Sequence, residues 1–111
     1  MKNIENINLV MKKIGAKSSY KGYYLVAEAI EISLNSEEKP IRITKDIYPR
    51  LARKFHSSTR NIEHNIRTLI CACWTTNKKN IEEIAGYTLK YKPTNSEFVD
   101  MLVRWVTSQD V

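Results

Sequence analysis

Very little of this chain is given over to the residue types that build catalytic centres. It holds three glycines and two cysteines, with no glycine-rich phosphate loop, no GxSxG, no C-x-x-C and no His-Glu metal motif. His56 and His64 stand singly, eight residues apart, as polar surface residues do. No enzyme activity and no cofactor are therefore expected. No apolar run approaches the twenty residues a membrane-spanning helix needs. The N-terminal MKNIENINLVMKKIG has Glu5 and three asparagines where a secretory leader requires unbroken apolar residues. The expected location is the cytoplasm, with no membrane partner. Cys71 and Cys73 lie two apart on one expected helix and so diverge by about 160°. They can neither pair nor hold one metal ion together, and the expectation is two reduced thiols, Cys73 packed and Cys71 partly exposed, with no metal site. Strand-like alternation is confined to YTLKYKP, too short for a sheet.

What the chain does have is positive charge, and in one place. Eighteen lysines and arginines against twelve acids leave a net charge of +6 over 111 residues. Between Lys39 and Arg67 there are eight basic residues and two acidic ones, whereas residues 1–38 carry five of each and residues 68–111 again five of each. The whole excess sits on fewer than thirty residues. A general need for solubility is met by charge anywhere on a surface, so this clustering points to a polyanionic partner.

With 42% hydrophobic residues, the chain can build one core and is too short for two. Helical spacing of Ile7, Val10, Met11 and Ile14 predicts a first helix over about 4–14, stopped by Gly15. A second runs over about 20–34, where Tyr24, Ala27, Ile30, Glu31 and Leu34 sweep one face. Tyr20, Tyr23 and Tyr24 are read as packing residues rather than stacking platforms. The polar segment 37–42, with Pro40, is a loop. Thr44 is the expected cap of a third helix reaching Phe55, and Pro49 either kinks it or makes it begin near Tyr48. The Ser57-Ser58 pair can cap a fourth helix over about 59–74. TTNKK then reads as a connector, with Lys78 and Lys79 solvated and offset by Glu82 and Glu83. Asn80 caps a short helix to Ala85, closed by Gly86. Thr94 and Glu97 have capping-box spacing at the start of a last helix, whose stripe is Phe98, Met101, Leu102, Trp105 and Val106. The sum is an all-α fold of six helices.

Residues 44–74 have a helix-turn-helix outline. Turning the fourth helix at 100° per residue gathers Ile62, Ile66, Leu69, Ile70 and Cys73 on one side. Arg60, His64, Arg67, Thr68 and Cys71 fall opposite, with Asn61 and Glu63 at the margins. All but Cys71 can hydrogen-bond a base edge or a phosphate. Base-reading candidates are thus Arg60, Asn61, Glu63, His64, Arg67 and Thr68, and phosphate candidates are Lys45, Arg53, Lys54, Ser57 and Ser58.

KGYYLVAEAI, ITKDIYPRLARKF, the I-E-x-x-I-R run from Ile62 to Arg67, GYT at Gly86–Thr88 and PTNSEF at Pro93–Phe98 resemble the C-terminal DNA-binding effector domain of the stage-zero sporulation response regulator of endospore-forming bacteria. The resemblance covers about residues 7–106, with motifs in the family's order and spacing. It implies a six-helix fold, sequence-specific binding of duplex DNA, tandem pairing of domains on DNA, and contact with the transcription machinery, the RNA polymerase sigma subunit being the expected partner. Glu63 and Arg67 match DNA-facing positions of the family's recognition helix. Asn61 and His64 stand where family members usually carry arginine, and Thr68 replaces a usual histidine. The phosphoacceptor receiver domain of the family is not in this chain, so a free-standing effector is expected.

Two readings of different classes follow. In one the chain is a transcription regulator reading the major groove. In the other it is a decoy that binds a polymerase sigma subunit or a related full-length regulator and no longer reads DNA. A decoy has no need of Lys45, Arg53, Lys54, Arg60 and Arg67 around one surface, so DNA binding is the favoured expectation. RNA binding is disfavoured by an expected lack of exposed aromatic platforms. Without a heptad seam, the free chain is expected to be a monomer.

Overall fold

A computed structural model describes residues 2–37 and 41–109. Among them are five α-helices: α1 (Lys2–Lys13), α2 (Lys21–Asn35), α3 (Tyr48–Lys54), α4 (Thr59–Ala85) and α5 (Asn95–Ser108). A π-helical turn, Ile43–Ile47, leads into α3, and the described residues contain no strand. The fold is all-α as expected, but with five helices where the sequence suggests six. Thr75 and Thr76, read as the start of a connector, lie inside α4, and their hydroxyls donate to the carbonyls of Cys71 and Ala72, at 2.9 and 3.0 Å. Such bonds to the preceding turn often bend a helix. The break shrinks to a kink at Asn77, with φ −135° and ψ 36°. Asn80 caps nothing; its side-chain amide donates 2.9 Å to the Lys13 carbonyl. Part of the loop expected over 37–42, Pro40 included, lies outside the described residues.

Three helices bury the stripes their periodicity marks. Ile7, Val10, Met11 and Ile14 of α1 are buried, as are Ile62, Ile66, Leu69, Ile70 and Cys73 of α4. In α5, Phe98, Met101, Leu102 and Val106 are buried and Val99 joins them, while Trp105 is half-buried. The Thr94–Glu97 capping box forms: Thr94 Oγ1 accepts from the Glu97 amide at 3.1 Å and Glu97 Oε1 from the Thr94 amide at 2.9 Å.

The face of α2 differs from the expected one. Leu25, Val26, Ala29, Ile30 and Ile32 are buried, whereas Tyr24 is 54% exposed. The reason is position: α2 packs against each of the other four helices, so it is apolar nearly all round and its periodicity selects no single face. Ser33, buried among these side chains, is satisfied by donating to the Ala29 carbonyl at 2.9 Å. Gly22 lets α2 come close to α4, since a Cβ there would lie 2.4 Å from the Asn65 carbonyl oxygen and 2.8 Å from Leu69 Cβ. Gly15 has φ +74° and faces the α4 kink, where a Cβ would meet the Asn77 amide.

Burial pushes the Cys73 thiol up from 9.0 to about 11. A group whose folded pKa is raised loses its contribution as pH climbs from the unfolded to the folded value. Stability should therefore be level below about pH 8.5 and fall by about 2–3 kcal/mol once the pH passes the folded value. Burial also raises the Tyr48 hydroxyl, which adds a decline in the same direction at higher pH. Urea unfolding at pH 8 and above pH 10 measures the drop, and Cys73→Ala should flatten the earlier part of it.

Candidate nucleic-acid interface

The approach to α4 is built by two backbone devices. At the end of α3 the Ser57 amide donates to the Ala52 carbonyl at 2.9 Å and the His56 amide to Arg53 at 3.4 Å. With His56 at φ 51°, this is the hydrogen-bond pattern that closes helices through one left-handed residue, a place usually held by glycine. Ser58, rather than Ser57, is the cap of α4: its Oγ accepts from the Asn61 amide at 3.1 Å. Thr44 does not cap α3, contrary to expectation. The segment instead winds into the π-helical turn, where Asp46 Oδ2 accepts from the Arg42 amide at 2.8 Å. Pro49 falls in the first turn of α3, where its missing N–H costs nothing.

Arg60, Asn61, His64, Arg67 and Thr68 are exposed and Glu63 is half-buried. Three of these six are joined. Arg67 Nη1 lies 3.1 Å from Glu63 Oε1, and Nη2 is 3.4 Å from Nδ1 of His64. The guanidinium is thus laid back along its own helix, carboxylate on one prong and imidazole on the other. The backbone beneath Glu63 is fixed from another direction. Asn95, first residue of α5, donates its side-chain amide both to the Glu63 carbonyl at 3.1 Å and to the Tyr48 hydroxyl at 2.9 Å. One amide therefore ties α5, α3 and α4 together. Burial raises the Tyr48 pKa, partly countered by that Asn95 bond.

The phosphate candidates divide. Lys45 and Arg53 are exposed and border one groove with Asp46 and Arg50. Lys54 turns toward α2, its Nζ 2.8 Å from Glu28 Oε1, so its charge is partly met within the fold. Ser57 and Asn61 line another groove together with Lys21 and Asn65. Lys21 carries no sequence signal of its own; it is beside α4 because its neighbour Gly22 packs on Asn65. Away from this end of α4, Lys78 Nζ sits 5.1 Å from the Trp74 ring centroid. Tyr23 and Tyr24 pack edge to face at 5.1 Å, but of the three tyrosines read as packing residues only Tyr23 lies against the core, Tyr20 and Tyr24 being 37% and 54% exposed. Exposed aromatics are present, contrary to expectation: Tyr87 is 58% and Tyr91 74% exposed, and Phe55 37%. Among the described residues no helix is long and apolar enough to cross a membrane.

Residues 7–106 match the model of the family described as Sporulation initiation factor Spo0A C terminal. The match takes in every site residue above, including Asn95 and Tyr48.

Removing the shared amide should loosen the site measurably. Asn95→Ala leaves the buried Tyr48 hydroxyl without its donor and is expected to cost about 1–3 kcal/mol in urea unfolding. Because the two residues act through one bond, adding Tyr48→Phe to Asn95→Ala should cost less than Tyr48→Phe does alone.

Proposed function

The chain belongs to the Spo0A C-terminal family of DNA-binding effector domains of the sporulation response regulator, and from that premise we propose that it binds duplex DNA sequence-specifically as a transcription regulator. In this reading α3 and α4 are a helix-turn-helix, with residues 59–74 in the major groove. The observation that carries the proposal is the exposed face of α4 opposite its buried stripe, with Arg67 held in a fork by Glu63 and His64. The guanidinium is the group that meets the O6 and N7 of guanine, its usual bidentate partner. Glu63 has a second oxygen for a cytosine amino group, and Asn61 suits adenine. His64 and Thr68 read the flanks. Arg60 and the free amides after Ser58 face a phosphate at the helix N-terminus, where Ser57 and the Ser58 hydroxyl add donors. Lys45 and Arg53 take further phosphates, with Lys54 a weaker contributor because Glu28 holds it.

The chain is a monomer in the cytoplasm that pairs in tandem on DNA and touches the polymerase sigma subunit there. Trp105, half-buried on α5, leaves that helix little free apolar area. Sedimentation without DNA should give a single species of monomer mass at micromolar concentration. A dimer there would overturn this part, and Ile4, Tyr24 and Phe55, which border one groove, would be the first surface to change.

Readout is tested against a duplex selected from a random pool and a scrambled one. Arg67→Ala should lose about 1–3 kcal/mol on the selected duplex and little on the scrambled one, whereas Arg53→Ala should weaken both alike. About four neutralised phosphates give a log-log salt slope of roughly −3.6. Failure to bind any duplex at low salt would favour the decoy reading instead, with the sigma subunit or a full-length regulator as its target.

A further inference from the structure

The seven residues between Gly86 and Thr94 contain two lysines and no acid. They turn back beside α4. At one end the Leu89 amide donates 2.8 Å to Glu82 Oε2. At the other, past the buried Pro93, Asn95 reaches the Glu63 carbonyl. Between these anchors Lys92 Nζ lies 2.8 Å from Cys71 Sγ. Cys71 is four residues beyond Arg67, on the same face of the helix. The segment therefore sets a lysine ammonium on the side of α4 that carries Arg67, one turn further along.

That ammonium has no strong partner. A thiol sulfur is a weak acceptor, and among the described residues neither Lys90 nor Lys92 has a carboxylate within salt-bridge distance. The acids that share the groove beside this segment are Glu97 and Asp100. Glu97 is engaged by the Thr94 amide at 2.9 Å and Asp100 by Arg104 at 2.9 Å. Lys90 and Lys92 are both exposed. Lys90 Nζ, 5.6 Å from the Tyr91 ring centroid, is the next cation outward.

Resting on the duplex-binding reading above, we propose that Lys92, with Lys90 behind it, is a second phosphate-gripping element that continues the DNA interface beyond Cys71. It contacts the sugar-phosphate strand bordering the groove at the far end of the reading segment. Contacts of this kind position a protein without reading sequence, so Lys92 contributes affinity and salt dependence but no base preference.

The test compares the whole chain with Lys92→Gln and Lys92→Arg on the selected duplex, the scrambled duplex and a selected duplex shortened at one flank or the other. Loss of one phosphate contact lowers the salt slope by about 0.9, so the affinity ratio between 50 and 200 mM salt should shrink by about 3.5-fold in Lys92→Gln. Lys92→Arg should keep the wild-type slope. The ratio of selected to scrambled affinity should be unchanged in both variants. Shortening one flank should weaken the wild type and leave Lys92→Gln unaffected. Equal urea midpoints establish that Lys92→Gln is folded, and the flank dependence of the wild type alone decides the inference if it is not. A wild-type slope retained by Lys92→Gln, an altered base preference, or no flank dependence overturns the inference while leaving duplex binding intact. A wild type that binds no duplex overturns both.

Discussion

The exposed face of α4 is positioned first of all by one crossing without a side chain. At Gly22 the α2 backbone approaches the Asn65 carbonyl and Leu69 so closely that a single methyl would overlap both. Overpacking of this kind costs about 1–3 kcal/mol where neighbours can shift, and here one neighbour is backbone. Two results follow from the closeness. The buried stripe of α4 is held against the most central helix, and Lys21 is delivered to the groove beside Ser57 and Asn61. The helix is then pinned on either side of that crossing. Asn95 holds the Glu63 carbonyl, and Asn80 holds the end of α1 beyond the kink. A helix fixed at three points along its length presents its outer side chains in one orientation, which is the requirement for meeting a rigid partner such as duplex DNA.

How much of this is legible in the sequence depends on whether a residue's role is set by its own helix or by a distant one. The stripes of α1, α4 and α5 are legible because each of those helices has one apolar side. The face of α2 is not, because a helix surrounded by others is apolar around most of its circumference. The same division runs through the caps. Ser58 and the Thr94–Glu97 box act within four residues and are read directly. Asn80 looks like a cap and is instead a tertiary donor, and Thr44 looks like one ahead of a proline that moves the helix start onward. In the site, the exposure of Arg60, Asn61, His64, Arg67 and Thr68 follows from the helical wheel. The Lys54–Glu28 pair spans 26 residues and the Lys92–Cys71 contact 21, distances over which spacing carries no information.

The pairing of Arg67 with Glu63 decides how the proposed reading works energetically. An exposed pair four residues apart on a helix is worth only about 0.3–0.5 kcal/mol, so DNA need not overcome much to draw either group away. Nor must it separate them, since a carboxylate and a guanidinium each keep unused positions after one shared bond. Glu63 and Arg67 are therefore a coupled unit, held over a carbonyl that Asn95 fixes. Asn61, His64 and Thr68, which depart from the resemblance, surround that unit rather than replace it. His64 departs in identity and yet supports the same arginine. In the proposed reading that pair seats the helix, and the residues around it set which neighbouring bases are favoured.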